Sequence, residues 1–209
     1  MIGETINAPY AEKFTVSNVF SSDMVVQRGE HIRVWGFADA SENGHKVSGE
    51  FMGMFAEARI ENGAWTLTFG ARLNACAEQG NSMRIYTDKT AFVFENVLVG
   101  DVFMVIGQSN VAYSMAAHRA AVPEAERGGV GYDVPSTPIR LHYNSLTQET
   151  GVTRGTEEVC TELRNRETWK RADAAAVQDF SALGYLFAAE YARATGVPVG
   201  VIEIDGNGQ

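Results

Sequence analysis

The residues best placed to do chemistry are Gly107-Gln108-Ser109-Asn110, a small polar tetrapeptide directly after the apolar run Val102 to Ile106. A short apolar run without alternation, bounded by Gly100-Asp101 and Gly107, predicts a strand buried on both faces, as in parallel sheets. Val111, Met115 and His118 recur beyond it at helical spacing, so a helix is expected next, with Ser109 or Asn110 as its N-cap. Turns at the carboxyl ends of parallel strands line the ligand crevice of α/β proteins, and a hydroxyl there is within reach of a substrate. The helix start adds backbone N–H groups that point at developing negative charge. A serine so placed suits nucleophilic attack on an acyl group. The same Ser-Asn pair also serves as an ordinary helix cap, and Val111 stands where the nucleophile elbow Gly-x-Ser-x-Gly has its second Gly.

A serine hydroxyl needs a base, and the chain has four histidines, His31, His45, His118 and His142. None has an Asp three residues before it. His31 and His45 fall in a β-rich stretch, His118 lies some way along the helix after Ser109, and His142 is expected to pack within a strand.

The elements that must position Ser109 fall into two regions. From Phe14 to about Asn96 the pattern is short and β-like. Ile32, Val34 and Trp35 mark one strand, and Val47, Gly49 and Phe51 alternate in the next. Asn62-Gly63 divides two alternating runs and predicts a hairpin, and Asp88-Lys89-Thr90 does the same between Met83 to Thr87 and Phe92 to Phe94. This region, 14–96, is expected to be an accessory antiparallel β-sandwich, with 1–13 as an N-terminal arm. Trp35 and Trp65 alternate with apolar residues and are expected in its core rather than as sugar platforms. Residues 97–209 change period to α/β. Ile139 to Tyr143 is a second strand there, and Val122 to Pro138 and Thr147 to Ala172 are long loops. A helix capped by Asp179 or Ser181 carries Phe180, Leu183, Phe187 and Tyr191 on one stripe and ends at Gly196. Val199 to Ile204 follows as a buried strand and runs into Asp205-Gly206-Asn207-Gly208-Gln209, on the sheet edge that carries Ser109.

Composition bounds the functions. The 209 residues, 45% hydrophobic, suit a globular protein with a proper core. A net charge of -9 without clustered Lys and Arg argues against nucleic acid. No apolar stretch is long enough for a membrane span. Met1 to Phe14 lacks the regions of a secretory signal, so the chain is expected to be soluble, either cytoplasmic or exported with its signal removed. Cys76 and Cys160 are too few and too far apart for a disulfide framework or a Cys-x-x-Cys metal site. They read as free thiols, with a single bridge between them as the alternative.

Gly107-Gln108-Ser109-Asn110 after its strand resembles the first sequence block of the SGNH-type esterases, in the branch containing sialate O-acetylesterases and related carbohydrate acetylesterases. That family usually has Met at the next position, where this chain has Val111. Val19-Phe20-Ser21-Ser22-Asp23-Met24-Val25-Val26-Gln27-Arg28 with Val34-Trp35-Gly36 resembles the family's opening, and Glu95 to Val102 resembles its approach to the nucleophile. Phe180 to Phe187 and Gly196 to Ile202 continue the likeness in order, so it covers most of the chain. The resemblance implies an N-terminal β-sandwich followed by an incomplete flavodoxin-like α/β/α domain with parallel strands.

It also implies a serine esterase acting on an O-acetylated carbohydrate, with no cofactor and no metal. Ser109 is then the nucleophile, and the backbone N–H groups of Ser109 and Gly208 form the oxyanion hole. Gln108 and Asn110 are expected to hold the turn through side-chain hydrogen bonds, and Gln108, Asn110 and Asn207 to contact substrate. The family's Trp-Gly-Gly-Thr is here Gly206-Asn207-Gly208-Gln209, a departure in the oxyanion turn. The family's His, with an Asp a few residues before it, is not within these residues. The chain is therefore expected to be the N-terminal part of a longer esterase, or a subunit completed by a C-terminal fragment or second subunit, and inactive alone. Acetylated sialic acid is the first substrate implied and acetylated xylan an alternative. A non-catalytic glycan-binding or scaffold protein with a decayed site is the other.

Overall fold

The computed structural model describes residues 5–6, 10–11, 13–78, 80–123, 127, 133–145 and 168–205. The N-terminal half lays down β1 (Thr5–Ile6), β2 (Tyr10–Ala11), β3 (Phe14–Val16), β4 (Val25–Gln27), β5 (His31–Ala38), β6 (Lys46–Phe51), β7 (Met54–Arg59), β8 (Ala64–Arg72), β9 (Met83–Tyr86) and β10 (Ala91–Phe94). Two sheets form from these, β1-β10-β9-β6-β7 and β2-β3-β5-β8. Their inward residues share one core, in which Val34, Leu67 and Phe69 of the second sheet meet Val47, Ile85 and Phe92 of the first. Gly49 marks the closeness of that packing, because a Cβ there would stand 2.8 Å from Leu67 Cδ1. Each fully buried Leu, Ile or Phe contributes about 1.5–3 kcal/mol.

The turn at Asn62-Gly63 forms, with both residues at positive φ. It does not make the expected hairpin. Beyond the single bridge Glu61–Ala64 the chain passes from one sheet to the other, so β7 pairs with β6 and β8 pairs with β5. The hairpin turn is instead Met52-Gly53, again with both φ positive, which joins β6 to β7. Within the stretch expected as an arm, β1 runs parallel to β10 and β2 antiparallel to β3.

The C-terminal half supplies β11 (Leu98–Gly107), α1 (Met115–Ala121), β12 (Ile139–Ser145), β13 (Lys170–Arg171), α2 (Ala174–Asp179), α3 (Ala182–Thr195) and β14 (Val199–Asp205). Its sheet has the order β13-β12-β14-β11-β4, so β4 crosses over from the N-terminal region to pair with Leu98–Gly100 of β11. The strands β12, β14, β11 and β4 are mutually parallel and β13 is antiparallel, giving the α/β class. Parallel neighbours need a crossover connection, and α3 lies in the one that leads into β14. Among the described residues, no helix is long and apolar enough to cross a membrane.

Two expectations fail here for physical reasons. β11 is not buried on both faces: β4 covers its free edge only as far as Gly100, and Met104 and Ile106 are 54% and 65% exposed. The buried face of α3 is Ala182, Tyr185, Ala188, Ala189 and Ala192 rather than the aromatic stripe, and Leu183 and Phe187 are exposed. Small residues let α3 lie close to the sheet, so the core side was hidden in alanines. The expected limits of α3 do hold, with Ser181 as N-cap and Gly196, at φ 67, as C-cap.

Three groups fasten the α/β sheet to the N-terminal block. Asp101 receives Arg28 Nε and Nη2, both at 2.9 Å, and also Tyr191 Oη at 2.8 Å and Gln27 Nε2 at 3.2 Å. Gln27 returns its Oε1 to the Val102 N–H at 2.8 Å. Trp169, buried, donates its indole N–H to the Val19 carbonyl and its backbone N–H to Ser21 Oγ.

Candidate active site

Ser109 lies in an exposed turn that leaves the carboxyl end of β11. The turn closes on one acceptor: the Gln108 carbonyl takes the N–H groups of Val111 and Ala112, each at 2.9 Å. Gln108, Ser109 and Asn110 all face solvent, while Val111 is buried. Val111 anchors the turn by covering Gly107, where a Cβ would come within 2.7 Å of Val111 Cγ2. The turn is thus held by a backbone carbonyl and an apolar plug. Among the described residues no hydrogen bond reaches the Ser109 hydroxyl.

The helix after the turn is shorter and later than its apolar spacing suggested. Ser114, not Ser109 or Asn110, is the N-cap of α1, its Oγ accepting the Ala117 N–H at 3.3 Å. The reason is a tie to the neighbouring helix. Met115 donates to the Phe180 carbonyl and Ala182 to the Tyr113 carbonyl, at 2.9 and 2.8 Å, so α1 and α3 begin side by side. Ser181 caps α3 and donates its own N–H to Glu203 Oε2 at 2.8 Å. A connected brace therefore runs from the Ser109 turn through Tyr113 and Ser181 to Glu203 on β14.

Glu203 and Asp205 are the residues that sequence reasoning passed over. Both are buried and both alternate with Ile204 on the α3 side of β14. Burial pushes the Glu203 carboxyl up to about 7, the Ser181 N–H opposes this, and the nearby Asp205 adds to it. Asp205 Oδ1 has no hydrogen-bond partner among the described residues. The signal was present in the sequence, because two acids set two apart in an otherwise apolar strand must lie on one face.

Parallel register aligns the sheet edge. Gly107 of β11, Asp205 of β14 and Ser145 of β12 are neighbours across the three strands, so all three chains leave on the side of Ser109. Gly206, Asn207, Gly208 and Gln209, which include the expected second oxyanion donor, lie outside the described residues, as does Cys160. Cys76 is a free, partly buried thiol.

The histidines are accounted for in place. His31 sets Nδ1 against the Phe69 carbonyl and His45 pairs with Glu42, both in the N-terminal sheets. His142 is sealed edge-on against Trp169, ring centres 5.4 Å apart, as expected of a packed strand residue. His118 falls in the last turn of α1, edge-on to Tyr113. Among the described residues no group of three or more His, Cys, Asp or Glu gathers as a metal site would require.

With this geometry in view, one solved structure is directly comparable. The chain has the fold of XAC1771. That protein, from Xanthomonas citri, is described as a novel carbohydrate acetylesterase, and the two superpose with a TM-score of 0.73 at 24% sequence identity. The match covers 92% of this chain and 40% of the Xanthomonas protein, so this chain spans well under half of its length. No family model matches the sequence, and no curated protein does.

Proposed function

We propose that this chain is the nucleophile-bearing part of a serine esterase that removes O-acetyl groups from carbohydrate, of the SGNH type and resembling sialate O-acetylesterases. The observation that carries the reading is the exposed Ser109 at the carboxyl end of a parallel strand, its hydroxyl without a hydrogen-bond partner among the described residues and flanked in register by the end of β14. Fold likeness to a protein described as a carbohydrate acetylesterase supports the substrate class.

In this reading Ser109 Oγ attacks the acetyl carbonyl carbon while a histidine takes its proton. The carbonyl oxygen becomes an oxyanion held by the backbone N–H groups of Ser109 and Gly208. The C–O bond to the sugar breaks, the histidine returns the proton to the departing sugar oxygen, and water then hydrolyses the acetyl-serine. The histidine and its aspartate belong to further strands supplied by the rest of the protein or by a second subunit. Among the described residues no strand pairs with the β4 side of β11 beyond Gly100, and the exposed Met104 and Ile106 lie beside that edge; both support that completion, since an open parallel edge with apolar faces is where sheets add strands.

The test is hydrolysis of an aryl acetate, O-acetylated sialic acid and acetylated xylan by the longer gene product and its Ser109→Ala variant. Activity lost in the variant is expected, and the preferred acetylated sugar names the substrate. Equal rates from both proteins would show that Ser109 is not the nucleophile and would favour a non-catalytic glycan-binding role.

A further inference from the structure

The outward face of the sheet β1-β10-β9-β6-β7, well away from β11 in the chain, holds a basin of about 510 Å³. Its floor is Ser48 on β6, which stands in register between Glu57 of β7 and Tyr86 of β9. One end is Phe55, 55% exposed, and the other is Arg59 on the same strand. Alternation places Phe55, Glu57 and Arg59 on the solvent side of β7, with the first and last about 13 Å apart along it. His45 and Lys46 complete the wall, and Asp88 is the one carboxylate in the lining. Lys46 is paired with Glu57 and His45 with Glu42, so the cation left to a ligand in this basin is Arg59.

Tyr86 and Arg59 differ in what they leave to a ligand. Tyr86 donates to Glu50 and carries Arg84 over its ring at 4.5 Å, so its phenol is fixed in place. Arg59 donates one N–H to the Gly44 carbonyl at 2.6 Å and pairs with no carboxylate among the described residues. Its remaining N–H groups are free to take a planar anion in a fork, the geometry in which guanidinium binds carboxylate best. Phe55 contributes little to the core and offers an apolar ring flanked by polar groups, which is the surface that the C–H face of a pyranose covers.

We infer that this basin binds an acidic polysaccharide, one pyranose lying on Phe55 and a uronate carboxylate on Arg59. The inference rests on the carbohydrate substrate class proposed above and assigns the N-terminal sheets the task of holding the polymer on which the esterase acts. Affinity electrophoresis of the 209-residue chain through gels carrying polygalacturonate or neutral mannan tests it, in low and high NaCl. Polygalacturonate should retard the chain, less so in high salt, and mannan should not. Phe55→Ala and Arg59→Gln should each weaken the retardation about tenfold, with melting temperatures unchanged because both side chains are on the surface. Ser109→Ala should be retarded like the unaltered chain. Failure of the esterase reading would appear as unchanged turnover in Ser109→Ala and would leave this gel pattern intact. No retardation by polygalacturonate, equal retardation of the chain and both basin variants, or equal retardation by mannan would each overturn the inference.

Discussion

Gly107 and Asp205 are register partners at the carboxyl ends of β11 and β14, and the Gly107 Cα hydrogen faces Val111. The missing Cβ is what lets Val111 sit down on the strand and turn Ser109 outward. A methyl group at Gly107 would press on Val111 Cγ2 at 2.7 Å, and a β-branched side chain has little rotamer freedom with which to yield.

Under the proposed esterase reading, Gly107→Ala should displace the Ser109 turn and lower kcat by about 10–100-fold, since misplacement by an ångström costs that much. Gly107→Ala/Val111→Ala should recover most of the loss. Aryl acetate hydrolysis measures both, and an undiminished single variant would separate the turn from the chemistry.

Asp101 gathers Arg28, Gln27 and Tyr191 where three elements meet, and the Arg28 guanidinium holds its carboxyl below the usual carboxylate range. A depressed folded-state pKa contributes stability that is present above the unfolded value and is lost as pH falls through the folded one. Asp101→Asn should cost about 1–2 kcal/mol at neutral pH, because it weakens the hydrogen bonds that a charged acceptor makes with Arg28, Gln27 and Tyr191. Urea melts should show that difference shrinking as pH falls below about 4.

Glu203 has the opposite sign. Its carboxyl is raised to about 7 in the folded chain, so it contributes most below its unfolded value near 4.5 and loses that contribution as pH rises through about 7. Glu203→Gln keeps an oxygen for the Ser181 N–H and removes the buried charge. It should leave stability unchanged near pH 4 and raise it by roughly 3 kcal/mol near pH 8, at 1.36 kcal/mol per unit. Thermal melts across that range check it; a parallel pair of curves would mean that Glu203 is ordinary in its titration.

Much of the fold was legible because strand periodicity and turn chemistry are local. β9 and β10 pair across the expected Asp88-Lys89-Thr90 turn, and β14 and α3 take nearly their expected limits. What sequence periodicity misread was decided by tertiary partners. Asn62-Gly63 has the turn conformation of a hairpin, yet β8 pairs with β5 and β7 with β6, in different sheets. The helix start at Met115 is set by the exchange with Phe180 and Ala182 rather than by local capping strength. Several residues in the segments that resemble the esterase family serve support: Gln27, Arg28 and Asp101 clamp strands, and a Cβ at Gly100 would strike the Pro198 carbonyl oxygen at 2.0 Å. Glu203 and Asp205 were visible as acids in an apolar run but carry no motif.

The last expectation concerns the open side of β11. Ile106 is 65% exposed and Met104 54%, beside a strand edge that β4 leaves uncovered beyond Gly100. If further strands or a helix complete this sheet, these side chains become core in the longer protein while remaining surface in the 209-residue chain. Ile106→Lys should then change the stability of the short chain by no more than about 0.5 kcal/mol, as surface substitutions do. In the longer gene product it should cost about 2–5 kcal/mol, the loss of a buried aliphatic group compounded by an unpaired charge. Paired urea melts measure the contrast. A small effect in both proteins would leave β11 as a true edge and would count against completion of the sheet there.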